Sequence, residues 1–424
     1  MGGQRSKAGA PMLLLAISYG IINVSASSYA GNRQVSALEL EEIKQYLEKI
    51  NKPALNSIQS PDGDIIDCVP VDKQPALDNP LLRNHTIQMM PSMLPTYRGG
   101  NYTTKNIQQL WNDVGSCPNG TIPIRRTKIE DVLRAGSLSQ FGKKKLGYRS
   151  STLASPPQGH EFWLLFCVYF IAYIKYAIAY LESTQNPIYG SMATFNVWNP
   201  YVEVDEEFSL SQLWVCAGSY ENSDLNTIEA GWQVCPLIYG DSNTRLFIYW
   251  TANAYNGTGC YNLECEGFVQ TDNSVAIGGA LSPVSTYGGS QYAMTLSVFK
   301  DPSSGNWWLT FEDTFVGYWP SEIFTLLSNS ATWLEWGGEI VNTSPNGEHT
   351  STDMGSGYFA EEGYEKASYI RNIMIVDSSN NLSPPASIIT SATNTNCYDL
   401  KSYNDTDWGV SFFFGGPGKS SLCT

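Results

Sequence analysis

RLFIYWT, running from Arg245 to Thr251, and YAMTLSVF, from Tyr292 to Phe299, are the stretches that decide the fold. Both carry an alternation of period two, the spacing at which successive side chains of an extended chain point to opposite faces. Gly, Asn, Asp and Ser clusters bound such runs, and similar short segments recur down the C-terminal part of the chain while helical stretches are few. The pattern predicts an all-β domain, an antiparallel two-sheet β-sandwich whose faces bury the aromatic residues. Composition agrees: 42% of the 424 residues are hydrophobic and 12% aromatic, enough for a sizeable core, and 37 Gly and 22 Pro supply turns. No internal repeat is present.

Upstream the texture changes. Ser36-Ala-Leu-Glu39 has the form of a capping box, and Leu38, Leu40, Ile43, Leu47 and Ile50 follow at helical spacing. A turn-rich region with short strand-like strings then holds Cys68 and Cys117, a pair able to close one disulfide. These features predict a small α+β domain over residues 31–135. Residues 136–158 turn to Gly, Ser, Lys and Pro and are expected to form a linker and processing zone. Its charge run Lys143-Lys144-Lys145 reads as a solvated stretch. At the start, Arg5 and Lys7 precede an apolar stretch and small residues to Ala30, the pattern of a cleavable signal peptide over residues 1–30. Nine cysteines and the sequons at Asn84, Asn101, Asn119, Asn256, Asn342, Asn381 and Asn404 fit the same secretory route.

The net charge of −15 argues against nucleic acid as a partner. It is unevenly spread: residues 1–154 hold 18 Lys+Arg against 12 Asp+Glu, and residues 155–424 hold 7 against 28. A cationic N-terminal segment covering an anionic domain would produce that division.

Two groups of strings resemble a known family in order. IDCVPVDKQPALDNPLLRNHTIQMMPS and GTIPIRR, within residues 66–126, resemble the neprosin activation peptide. FNVWNP, FSLSQLWV, IEAGWQVCPLIYGD, RLFIYWT, GCYNLECEGFVQ, NWWL, GYWP, WGGEI and MGSG, within residues 190–424, resemble the neprosin catalytic domain. The resemblance implies a secreted plant-type β-sandwich peptidase using two glutamates, made with an inhibitory propeptide removed under acid conditions, with cleavage after proline in the family's namesake. It places the glutamate pair at Glu229 in IEAGW and Glu339 in WGGEI. The implied partners are a peptide or protein substrate and the chain's own pro-domain, acting as an intramolecular inhibitor.

Two carboxylates suit the chemistry, because peptide hydrolysis needs a base for water and an acid for the leaving nitrogen. Like charges at close range hold one proton on such a pair at acid pH, so activity favoured by acid is expected. Glu335 is the nearest rival to Glu339 and is expected to face solvent, which makes Glu335→Gln an active variant. With three histidines, His85, His160 and His349, and no HExxH or paired Cys-x-x-Cys, serine, cysteine and metal schemes are poorly supplied, and neither metal nor cofactor is expected. The alternatives are a non-catalytic carbohydrate- or wall-binding sandwich and a glycosidase using the two carboxylates.

Cys260 with Cys265, and Cys397 with Cys423, are expected disulfides; Cys216 and Cys235 are offered as an additional pair, which leaves Cys167 odd. Cys167 lies in FWLLFCVYFIAYIK, Phe162 to Lys175, an uncharged run of 13 residues before Lys175 and too short for a bilayer span, which needs about 20. Joining His160-Glu161 to Tyr176-Ala-Ile would restore the family's pattern. Residues 162–175 therefore read as an insertion, translated intron sequence in preference to a membrane helix, interrupting the first strand of a catalytic domain over 159–424.

Overall fold

The computed structural model describes residues 35–97, 107–144, 173–182, 186–345, 348–405 and 407–424. The expected signal peptide, Asn101, His160, Cys167 and residues 162–172 lie outside them. Among the described residues no helix is long and apolar enough to cross a membrane.

The N-terminal unit is the predicted small α+β domain. Ser36 caps the helix Ala37–Ile50, its Oγ accepting from Glu39 N at 3.1 Å, and the helix buries Ile43 and Ile50 against Val132 and Phe141. A second helix, Ile129–Ala135, ends at Gly136 in the left-handed conformation (φ 90°), as helix C-termini favour. Between the helices lies a three-stranded antiparallel sheet of Asn56–Gln59, Ile65–Pro70 and Thr121–Arg125. The Cys68–Cys117 disulfide closes this unit.

The larger unit is a β-sandwich. One sheet has seven strands in the order Cys260–Tyr261, Arg245–Thr251, Asn226–Val234, Ser209–Ala217, Trp333–Asn342, Tyr173–Glu182 and Ile389–Ala392, all antiparallel. The second sheet is built around Ala293–Lys300, Gly190–Asn196 and Ser368–Val376. Alternate residues of the seven-stranded sheet, among them Leu213, Ile228, Trp232, Ile248 and Trp336, meet the second sheet in the main core. Trp232 Nε1 crosses between the layers to Asn196 O at 2.9 Å, so the buried indole keeps its hydrogen bond.

The N-terminal unit is joined to the sandwich through its backbone. Thr96–Tyr97 adds a parallel edge strand beside Asn381–Ser383, Gln108–Gln109 pairs with Leu281–Ser282, and Ile124 bridges Ile277. Residues 136–144 are not a free linker: Phe141 is buried, and Tyr261 N donates to Gly142 O at 2.9 Å.

Several site expectations meet the fold here. Cys260–Cys265 and Cys397–Cys423 are disulfides. Cys216 and Cys235 are not bridged to each other. The antiparallel register sets Cys216 opposite Thr227 and Ser209 opposite Val234, which puts the two cysteines at opposite ends of one ladder, about 24 Å apart. Asn342 is 3% exposed, with its Nδ2 donating to Glu348 O at 3.0 Å, so the folded chain does not present that sequon to a glycosylating enzyme. Asn84, Asn119 and Asn256 are exposed, Asn381 is half-buried, and Asn404 lies in the strand Asp399–Asp405. Tyr173, Ile174 and Lys175, the last residues of the suspected insertion, continue the first sandwich strand in register with Asn342, Val341 and Ile340. That strand is thus uninterrupted from Tyr173 onward.

Candidate active site

The other face of the seven-stranded sheet is polar in patches and nonetheless buried. Residues directly opposite in an antiparallel sheet share a face, so the registers arrange this face in rows. Glu335, Trp214, Glu229 and Tyr249 form one row across four strands. Gly337, Gln212, Gly231 and Phe247 form the next, and Glu339, Leu210, Gln233 and Arg245 the one beyond. Both motifs, IEAGW and WGGEI, contribute a glycine to the middle row. A Cβ on Gly231 would stand 2.1 Å from Ser211 O, and one on Gly337 (φ 156°) 2.3 Å from Ala177 O. The glycines keep the strands closely apposed there, and Gln212 between them donates from Nε2 to Glu339 Oε2 at 3.3 Å.

Glu229 is fully buried and richly bonded. Oε1 accepts from Tyr255 Oη at 2.7 Å and Thr227 Oγ1 at 3.0 Å; Oε2 meets the Lys144 ammonium at 2.6 Å. Tyr255 reaches the carboxylate from a loop in which Ala254 and Tyr255 both hold left-handed backbone (φ 53° and 61°), a conformation costing on the order of 1 kcal/mol per residue. Lys144 enters from the N-terminal unit. Its Nζ lies 5.2 Å from the Tyr249 ring centre and 5.1 Å from that of Tyr255, so an aromatic cage holds the cation over the carboxylate. Burial alone would push the ammonium down, but the charges of Glu229 and Glu339 outweigh it and hold its pKa up at about 12. Lys144 is therefore no solvated member of a charge run. Sequence reasoning missed it because nothing local separates it from Lys143 and Lys145.

Glu335 also departs from its expected place. It is 3% exposed, level with Glu229 and on the same face as Glu339, which is 2% exposed. Burial first, then the charges of Glu339 and Glu229, push the Glu335 carboxyl up to about 8. Burial pushes Glu339 to about 7, with Glu229 adding to the rise and Lys144 and Gln212 opposing it. Outward-facing was a reasonable reading of ATWLEW, but an even spacing of four fixes Glu335 and Glu339 to one side of the strand. The sheet thus brings together three carboxyls, one ammonium, Gln212 and a wall of tyrosines.

A second polar contact joins the two units. Arg245, fully buried, donates from Nη1 to Asp64 Oδ2 at 2.5 Å and Gly278 O at 2.8 Å, and from Nη2 to Asp241 Oδ2 at 2.5 Å. Arg125 Nε reaches the other Asp64 oxygen at 2.9 Å. Burial would raise Asp64, but Arg125 and Arg245 more than offset it and hold the carboxyl below the usual aspartate range. Charge complementarity at this point runs opposite to the overall division, with Asp64 and Asp62 of the basic unit paired to an arginine of the acidic one. The remaining described histidines lie elsewhere: His85 Nε2 meets Tyr318 Oη at 2.7 Å, and His349 Nδ1 meets Thr350 O at 3.0 Å. His349 stands near Cys397 and Cys423, but their disulfide leaves no thiolate for a metal.

Comparison with known proteins adds the following. Among solved structures, the chain is similar to scytalido-glutamic peptidase, crystallised with a peptide-based transition-state analogue. The identity is 10%, coverage is 57% of this chain and 98% of that one, and the TM-score is 0.32. It is similar at 10% identity, TM-score 0.30, to SCP-B, a member of the eqolisin family of peptidases in complex with the tripeptide Ala-Ile-His, covering 57% and 96% of the two chains. We draw no residue correspondence from likenesses this distant. Family models match more directly: the Neprosin model over residues 205–417, the span holding Glu229, Glu335 and Glu339, and the Neprosin activation peptide model over residues 57–164, the span holding Asp64 and Lys144. The chain belongs to the neprosin family, with an activation peptide preceding the domain that carries the three glutamates.

Proposed function

We propose that this protein is the precursor of a secreted, acid-favoured glutamic endopeptidase, in which Glu229 and Glu339 are the reacting pair and the activation segment holds them latent. The observation that carries the reading is the Lys144 ammonium seated on buried Glu229 and within electrostatic reach of Glu339. An ammonium from the activation segment fills the position where the pair would meet a substrate. Upstream, the apolar leader and the three disulfides of the described residues support secretion.

With the segment gone, an extended peptide would lie across the rows. Glu229, carrying the charge that now faces Lys144, takes a proton from water, and the water oxygen attacks the scissile carbonyl carbon. Glu339, whose raised value keeps it protonated below about pH 7, supplies the proton to the amide nitrogen as the C–N bond breaks. Glu229 has then gained one proton from water and Glu339 has lost one to the amine, and transfer of a proton from Glu229 to Glu339 restores the starting state. Lys144 stays charged throughout the acid range.

The test is a peptide digest at acid pH by acid-treated protein, read by mass spectrometry, with Glu229→Gln and Glu339→Gln as controls. The family's preference for cutting after proline is part of the proposal, and the fragment ends report it directly. Cutting retained by both variants would sink the dyad. The carbohydrate-binding alternative has one observation in its favour, an open cleft of about 620 Å³ on the second sheet lined by Tyr364, Tyr369, Arg371, Tyr403, Trp408 and Phe413. Retention on a polysaccharide matrix, lost with Trp408→Ala but kept by the double glutamate variant, would favour that reading.

A further inference from the structure

Of the three carboxyls on the site face, the peptide chemistry uses two. The third, Glu335, stands level with Glu229 across the Trp214 strand, two strand spacings or about 10 Å between backbones, and shares its own strand face with Glu339. It is buried as deeply as the pair. The groups facing it are Tyr180 from the strand on one side, Trp214 and Cys216 from the strand on the other, Glu229 beyond that, and Glu339 on its own strand. Lys144, from the activation segment, pairs with Glu229 of this set.

We propose that Glu335 is a positioning residue that sets the upper pH limit of catalysis by sharing the charge of the site with Glu229 and Glu339. The inference rests on the peptidase reading and deepens it. Removal of Lys144 on maturation leaves three carboxyls on one sheet face without that cation. Their protons then come off in steps that belong to the group, and the last leaves against the charges already formed. A like charge nearby makes that last proton harder to lose, so the pair keeps its acid form to a higher pH. Burial and the neighbouring charges already hold Glu335 at about 8 in the precursor, in the same direction.

The experiment is the pH profile of kcat/KM for the mature enzyme and for Glu335→Gln, Glu335→Asp and Glu335→Met. In Glu335→Gln the acid plateau should stay within about threefold of the parent while the alkaline limb moves down by about one pH unit, the coupling expected of charges at this range in a protein interior. Glu335→Asp, which restores a carboxyl, should return the limb toward the parent. If the Gln variant does not fold, Glu335→Met must give the same downward shift. Superimposable profiles would overturn the assignment, as would a loss at every pH matching Glu229→Gln, which would make Glu335 a reacting group. A parent enzyme that cuts no peptide would instead defeat the peptidase reading, and thermal melting then decides about Glu335 without turnover. The Tm of Glu335→Gln should exceed that of the parent by a margin that grows from pH 5 to pH 8, and a constant margin refutes the proposal.

Discussion

The two faces of the seven-stranded sheet are made by the same strands, one residue out of step, and are buried almost equally. The inner face carries Leu213, Val215, Ile228, Ala230, Trp232, Leu246, Ile248, Leu334, Trp336 and Ile340, with Ser209, Ser211 and Asn226 as uncharged polar residues among them. The outer face interrupts its aromatics with Glu229, Glu335, Glu339, Gln212, Gln233 and Arg245. Apolar burial stabilises, at about 25 cal/mol per Å², whereas burying a carboxyl costs stability unless a partner or a proton offsets it. A sandwich needs the first face in order to exist. The second face is destabilising as a wall and makes sense as a site, closed in this precursor by the activation segment.

Breaking each face should therefore give opposite phenotypes. On the outer face, Glu229→Gln or Glu339→Gln should lower peptide hydrolysis by about 10²- to 10⁴-fold with the fold intact. Glu339→Gln should also raise stability near pH 8, measurable by denaturant titration. The sign follows from its raised folded value: stabilisation by the bound proton is full below the ordinary glutamate range and is lost as pH climbs through about 7. On the inner face, Ile248→Ala should cost about 3 kcal/mol in the same titration, with the surviving folded fraction still active. A neutral Ile248→Ala would mean that the two faces are not divided as described.

Smaller effects sharpen how the outer face is covered. Asp64→Asn leaves buried Arg245 and Arg125 short of a counter-charge and should destabilise the precursor by about 3 kcal/mol at neutral pH. Asp64 has a lowered folded value, so its contribution is present above the ordinary aspartate range and disappears as pH falls below it. Precursor and variant should accordingly converge in stability at acid pH below the ordinary aspartate range, and a gap that persists there would assign the effect to packing. Smaller still, Lys144→Met keeps the bulk of the plug and loses its charge. The uncleaved precursor should then show roughly tenfold more activity at acid pH, the scale of a modest change in a buried ion pair. Unchanged latency would mean that the activation segment blocks the cleft by bulk alone.

The strands were legible because alternation is a local property: RLFIYWT predicts a strand and the strand is Arg245–Thr251. The capping box at Ser36 likewise marked its helix. What misled was exposure. Glu335, Lys144 and Asn342 carry the residue types of a surface, yet Glu335 and Asn342 are buried and Lys144 is half-buried, each beside a segment distant in sequence. Cys216 and Cys235 lie 19 positions apart in the chain, close enough to invite pairing, until the antiparallel ladder separates them. Tyr255 and Gln212 carried no signal in the sequence at all, since a tyrosine in a loop and a glutamine in a strand become partners of carboxylates only through the registers.

By itself, then, the sequence determined which residues extend, which alternate residues share a face, and through IEAGW and WGGEI which glutamates stand beside a glycine that lets strands close up. These follow from backbone geometry over a few residues. Only the tertiary structure decided that the polar face is covered, that Lys144 among three adjacent lysines reaches Glu229, and that a third carboxyl joins the pair. Burial and charge coupling depend on neighbours in space, and the long-range pairing that supplies those neighbours is written across the whole chain rather than in any one stretch of it.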